Sequence, residues 1–393
     1  MTWTGQQQSA KPAANQPVGS GARSLGAMLV LAVMETTAAM AQTYTVLHAF
    51  TGSDGDSPRA GVIRDAAGNL YGTTFDGGPT SVDGGVVFKL DETGLTVLHN
   101  FAYNDGVDGW QPVAALIRDA AGNLYGTTNR GGALGAGTVY KVDVNGTETV
   151  LHSFTGTDGA YPESCLIQGP AGNLYGTTFE GGPKRIGVVF EMDTTGAETV
   201  IYSFAKPGGD FPQAGVIRDS AGNLYGTTTA GGVSGRGTVF KLDVAGTETT
   251  LYSFTGSDGD SPMAGLIGDP AGNLYGTTYY GGASNMGVVF KVDTTGTETV
   301  LHNFAGSDGG YPWGGLIRDS TGNLYGTTFY GGASDMGVVF KLDMTGTETV
   351  LHNFAGPDGA NPQAGLIGDP AGHLFGTTSG GGSGHGVVFR LTP

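Results

Sequence analysis

The chain has 393 residues, 18 Lys and Arg against 35 Asp and Glu, and a formal net charge of −17. That balance argues against nucleic acid and anionic membrane surfaces as partners, since both demand clustered cations. The 74 glycines and 17 prolines approach the content of disordered chains, but they keep a fixed phase with a repeat and so read as turn residues.

Residues 1–41 stand outside that repeat. Lys11 and Arg23 precede an apolar run, Leu25–Met34, and Ala39-Met40-Ala41 then offers a small-x-small cleavage site. This is the layout of a secretory signal peptide. The run is too short to span a bilayer, which takes about 20 apolar residues. Residues 42–393 are then the mature chain, with no transmembrane anchor, secreted or periplasmic.

From there the chain repeats Gly-Asn-Leu-Tyr-Gly-Thr-Thr, beginning at Gly68, Gly122, Gly172, Gly222, Gly272 and Gly322, with an altered copy at Gly372–Thr378. A period of about 50 residues points to a propeller or solenoid. Each period holds four short runs rich in Val, Ile, Phe, Tyr and Thr. In the third unit these are strand A (Ser164–Gln168), strand B (Asn173–Thr178), strand C (Gly187–Asp193) and strand D (Glu198–Phe204). The A–B and C–D connections carry Asp-x-x-Gly, as at Asp65–Gly68 and Asp193–Gly196. There Asp accepts backbone N–H groups and Gly supplies positive φ. Only Gly169–Gly172 lacks the Asp among the A–B turns. These aspartates are turn residues rather than catalytic ones.

The first D strand, Thr43–Phe50, precedes any A strand, and the last unit stops after its C strand, Gly386–Leu391. Joining them gives an all-β, seven-bladed β-propeller of four-stranded blades in one domain, 42–393. The N-terminal D strand completes the blade of the C-terminal A–C strands. An open array would leave long unpaired edges.

Gly-Asn-Leu-Tyr-Gly-Thr-Thr, Gly-Gly, Gly-Val-Val-Phe-Lys-Leu-Asp and Gly-Thr-Glu-Thr-Val-Leu-His-Asn-Phe together resemble the GloVer tandem repeat of bacteria (Gloeobacter and Verrucomicrobia type) over residues 43–393. The resemblance implies a bacterial exported protein of unestablished role. Relatives are expected to carry a carboxy-terminal anchor. This chain ends with its last C strand, which favours a free protein. The layout is also similar to NHL-type propellers, a likeness of fold alone.

The D–A and B–C loops share one face, and that face is where the units differ. A Pro ends each D–A loop, followed by Arg59, Val113, Glu163, Gln213, Met263, Trp313 and Gln363. These seven are expected to ring the mouth of the axial channel. Variable pairs open the B–C loops, including Phe75-Asp76, Tyr279-Tyr280 and Phe329-Tyr330. Aromatic rings beside amides and carboxylates suit stacking on sugars, although the first ring of each pair also suits packing. The candidate ligand-binding residues are Arg59, Glu163, Gln213, Tyr280, Trp313, Tyr330 and Gln363. Partners read this way are a polysaccharide or an envelope protein.

The acidic loops Asp54-Gly55-Asp56, Asp105 with Asp108, and Asp258-Gly259-Asp260 have the oxygen donors for Ca²⁺ but lack the EF-hand spacing. They read first as turns, so no cofactor or metal site is assigned. His48, His99, His152, His302 and His352 recur at one strand-D position, a repeat feature rather than a metal cluster. His385 is the one histidine on the variable face. With Glu163 and Arg59 it forms a weak catalytic set, so a glycan- or lactone-hydrolysing enzyme is an alternative to a binding module. A structural or protein-interaction role in the envelope is a third reading. The one cysteine, Cys165, falls in an apolar strand and reads as a buried free thiol.

Overall fold

A computed structural model describes residues 42–79, 83–103 and 108–393, together with the backbone of Trp3–Thr4. The leader's apolar run, its cleavage site and Asp105 lie outside the described residues. The Trp3–Thr4 backbone pairs antiparallel with Ile217–Asp219.

Seven four-stranded antiparallel sheets follow the chain in order. In blade three the strands are A (Ile167–Gln168), B (Leu174–Thr178), C (Val188–Met192) and D (Glu198–Ser203). Blade seven joins Ile367–Gly368, Leu374–Thr378 and Val387–Thr392 to Thr43–Ala49 from the other end of the chain. Val46 sits opposite Phe389 in that closing pair. The expected closure and strand count are therefore observed.

Strand A is shorter than expected. Only its last two residues pair with strand B, as Ile167 with Tyr175 and Gln168 with Leu174. The reason lies upstream. The residue before each mouth proline takes positive φ, from 54° at Ser57 to 59° at Phe211. That turn and the proline, which has no N–H, hold the first half of the strand out of the ladder.

The core lies between blades. Val188, Val189 and Phe190 are fully buried, as are their counterparts in the other C strands. The aromatic closing each strand D meets the aromatic of the next blade's strand C edge-to-face. Phe50–Phe88, Phe101–Tyr140, Phe154–Phe190, Phe204–Phe240, Phe254–Phe290, Phe304–Phe340 and Phe354–Phe389 have centroids 4.9–5.4 Å apart. This geometry suits the ring quadrupole. The glycine of Leu-Tyr-Gly-Thr-Thr makes room for that ring: a Cβ on Gly226 would stand 2.7 Å from Phe240.

The two threonines of the motif have separate tasks. The first donates its hydroxyl to an inner-strand carbonyl of the following blade. Thr73 reaches Ala114, Thr127 Ser164, Thr177 Ala214, Thr227 Ala264, Thr277 Gly314, Thr327 Ala364 and Thr377 Ala60, at 2.8–3.4 Å. The last bond closes the ring across 317 positions of sequence. The second threonine caps the start of its own B–C loop, as Thr278 to the Tyr280 carbonyl at 2.8 Å.

At the axis the inner strands present Gly61, Ala115, Cys165, Gly215, Gly265, Gly315 and Gly365. Neighbouring backbones come so close that a Cβ on Gly215 would stand 2.4 Å from the Cys165 carbonyl. Cys165 is exposed, which corrects the reading of a buried thiol. Its position in this axial ring puts protein on all sides, so desolvation still pushes the thiol's pKa up.

Candidate functional site

The loop face is built on the seven residues that precede the mouth prolines. Each N–H donates to a B–C loop of the preceding blade, and each carbonyl accepts from the B–C loop of its own. In blade three, Tyr161 N–H reaches the Ala136 carbonyl at 2.8 Å, and Phe179 N–H reaches the Tyr161 carbonyl at 3.0 Å. Tyr311 does the same between Met286 and Phe329. The loops are thereby tied into one surface, and the side chains just past each proline are held at its centre.

One side of this mouth is polar. Glu163 accepts from Asn129 Nδ2 at 2.9 Å and also from Gln213. Burial raises its pKa, against those hydrogen bonds and the charges of Arg59 and Arg130. Arg59 lies over the Phe75 ring, 3.4 Å from its centroid, and feels both Asp76 and Glu163. Burial also raises the Asp76 pKa, opposed by a hydrogen bond from Gln111 and by Arg59. Arg130 stands over Tyr161 at 4.4 Å.

The other side is aromatic. Tyr279 is buried and touches Tyr280, Tyr311 and Trp313, at 4.7, 5.3 and 5.3 Å between centroids. Trp313 also meets Phe329, and Tyr330 meets Phe329 and Tyr311. Tyr280 and Tyr330 are each 40% exposed, so the outer ring of each pair faces solvent while Tyr279 packs. Gln363 closes the circuit, donating to Ser379 Oγ at 3.2 Å.

Of the candidate residues, Arg59, Glu163 and Gln213 interact on the polar side, and Tyr280, Trp313 and Tyr330 share the aromatic network. His385 does not join Glu163. Its Nδ1 pairs with Asp56 at 2.8 Å. Arg236 pairs with Asp260 in the equivalent place, so the His385 and Arg236 side chains each hold a B–C loop to the next D–A loop. The sequence reading missed Tyr161, Phe211 and Tyr311. Their signal was an aromatic immediately before an invariant proline, at a position that varies between units.

The acidic loops are turns. Asp54 accepts from Thr51 N–H and hydroxyl and pairs with His48, and Asp258 repeats this with Thr255 and Tyr252. Two shallow depressions of about 230 Å³ lie elsewhere, one beside Lys206 and Asp210, the other beside Thr194 and Gly196. Neither is lined by a mouth residue.

Fold and mouth together define a seven-bladed propeller with one divergent loop face. The chain belongs to the Gloeobacter/Verrucomicrobia repeat family, whose pattern matches residues 32–220, 145–322 and 212–393. A search of curated proteins gives no match. Among solved structures, a streptogramin B lyase is 13% identical with a TM-score of 0.61, covering 89% of this chain and 97% of its own. The extracellular domain of a proposed one-component system from B. thetaiotaomicron is 10% identical with a TM-score of 0.56, covering 85% of this chain and 38% of its own. At these identities the likeness is one of fold. Among the described residues no helix is long and apolar enough to cross a membrane.

Proposed function

We propose that this is an exported, non-catalytic propeller that binds a polysaccharide or similar surface ligand at the mouth of its D–A/B–C face. The observation that carries the reading is the division of the mouth. Exposed rings of Tyr280 and Tyr330 stand over a Tyr279–Trp313–Phe329 base, opposite the Arg59–Glu163–Gln213 group. Rings offer apolar faces for the C–H faces of sugars, and amides and charges offer hydrogen bonds to their hydroxyls. A leader over residues 1–41 supplies the route of export.

A glycan array probed with the purified protein tests this. Binding to a glycan class, weakened about tenfold or more by Trp313→Ala and by Tyr280→Ala, is the expected result. Retention of full binding in both variants would move the site off the mouth. A second reading, a glycan- or lactone-cleaving enzyme, rests on Glu163, whose raised pKa suits a general acid. Under that reading Glu163→Gln removes one limb of the pH–rate profile; an unchanged profile rejects it.

A further inference from the structure

The outer rim holds a recurrent cluster in which each member comes from a different segment. At the seam between blades two and three, His152 lies on one strand D, Asp158 on the following D–A loop, and Glu198 opens the next strand D. His152 Nε2 stands 3.1 Å from Asp158 Oδ2. One donor atom from each of His152, Asp158 and Glu198 falls within 4.8 Å of the others, and the same holds for His99, Asp108 and Glu148 one seam earlier.

We infer that these two seams are divalent transition-metal sites, each offering one imidazole nitrogen and two carboxylates to a zinc-like ion. Tetrahedral zinc at about 2.1 Å from each donor needs donors about 3.4 Å apart; His152 and Asp158 stand 3.1 Å apart and all three donor atoms lie within 4.8 Å. A hydrogen-bonded triad alone does not account for the second seam. A single N–H on His152 Nε2 satisfies Asp158, while Glu198 Oε1 is buried with no hydrogen-bond partner, as are Glu298 Oε1 and Glu348 Oε1 at seams outside the two clusters. A cation among the three supplies what that oxygen lacks. His152 and Asp158 are each 20% exposed, so an ion has a path in. Calcium fits less well, since it takes six to eight oxygen ligands.

Four of the other seams act as internal controls, while the fifth, between blades five and six, carries His302, Asp308 and Glu348 with donor atoms spread beyond 4.8 Å of one another. Tyr252 replaces the histidine between blades four and five, and Tyr202 with Gly208 removes two donors between blades three and four. Leu95 replaces the glutamate beside His48 and Asp54, and Tyr44 replaces it beside His352, where the two rings stack at 3.8 Å. Substitutions found in sister seams are therefore compatible with the blade.

The test is equilibrium dialysis of the full chain against Zn²⁺ at pH 7.5, with metal counted per chain and the fold checked by circular dichroism. The expected result is two ions per chain, one after His152→Tyr or Glu198→Leu, and none after His99→Tyr with His152→Tyr. His302→Tyr leaves the count at two. No ion retained by the folded protein overturns the inference. So does a count that His152→Tyr and Glu198→Leu leave unchanged.

Discussion

At position 169 a glycine stands where the other A–B turns have aspartate, and its consequence is visible across the strand. Asp319 is the pattern it breaks. Despite partial burial, hydrogen bonds from Thr321, Asn323 and Tyr325 hold its pKa down to about 2. In blade three, Asn173 and Tyr175 have no such carboxylate, and both turn instead to Glu191 on strand C. Six C strands carry Lys or Arg there, and only this one carries Glu. The two departures are one compensated change. Glu191→Lys is expected to strand the Tyr175 hydroxyl and the Asn173 amide and to cost about 1–2 kcal/mol. Adding Gly169→Asp is expected to recover most of it. Thermal melts of the two single variants and the double close the cycle; additive losses would show that the positions are uncoupled.

At the scale of the strand, position 298 shows what sequence leaves hidden. Repetition made the turns, the four strands and the closure legible, because the same Asp-x-x-Gly and the same Leu-Tyr-Gly-Thr-Thr recur in one phase. The short strand A was not legible, since the positive φ before the proline falls on Ser, Gln, Tyr, Phe and Asn alike. The mouth's residues were legible as variable positions, but their division into a polar and an aromatic side needed the ring. The strand-D histidines read as repeats because their glutamate partner arrives from the next blade. Glu298 arrives in the same way, beside Tyr252 where other seams have histidine. Burial first, then the Asp258 carboxylate, raises its pKa from 4.5 to about 7. Tyr252 faces the same group and bonds Asp258. The folded state therefore holds a proton that the unfolded state releases above about pH 4.5. Stability from this group falls as pH rises through that window to about 7 and stays lost above it. Glu298→Gln is expected to melt like the parent at pH 4 and above it at pH 8. A melting difference that does not change with pH would remove Glu298 as the source.

For the whole molecule the decisive contact is the one that joins the two ends. Strand Thr43–Ala49 lies against Val387–Thr392, Phe50 fills the seam against Phe88, and Thr377 bonds Ala60. Each contact repeats one made elsewhere between residues close in sequence, so the closure is built from the same parts as every other blade. It differs only in chain connectivity: nothing covalent holds Thr43–Ala49 to its sheet. Removing residues up to Phe50 would bare the backbone edge of Val387–Thr392 and a buried aromatic site, a template for pairing with a second chain. The truncated protein is expected to elute as dimers or larger species, with a lower melting temperature. A permuted chain that begins at Thr51 and carries Thr43–Phe50 after Pro393 through a short glycine–serine link restores the same blade with ordinary connectivity. It is expected to elute and melt as the parent does, or above it, because the closing strand is now tethered. A truncated chain that stays monomeric and melts unchanged would mean that the ring holds without its closing strand. A permutant that fails while the parent folds would place the requirement in the order of the chain rather than in the blade.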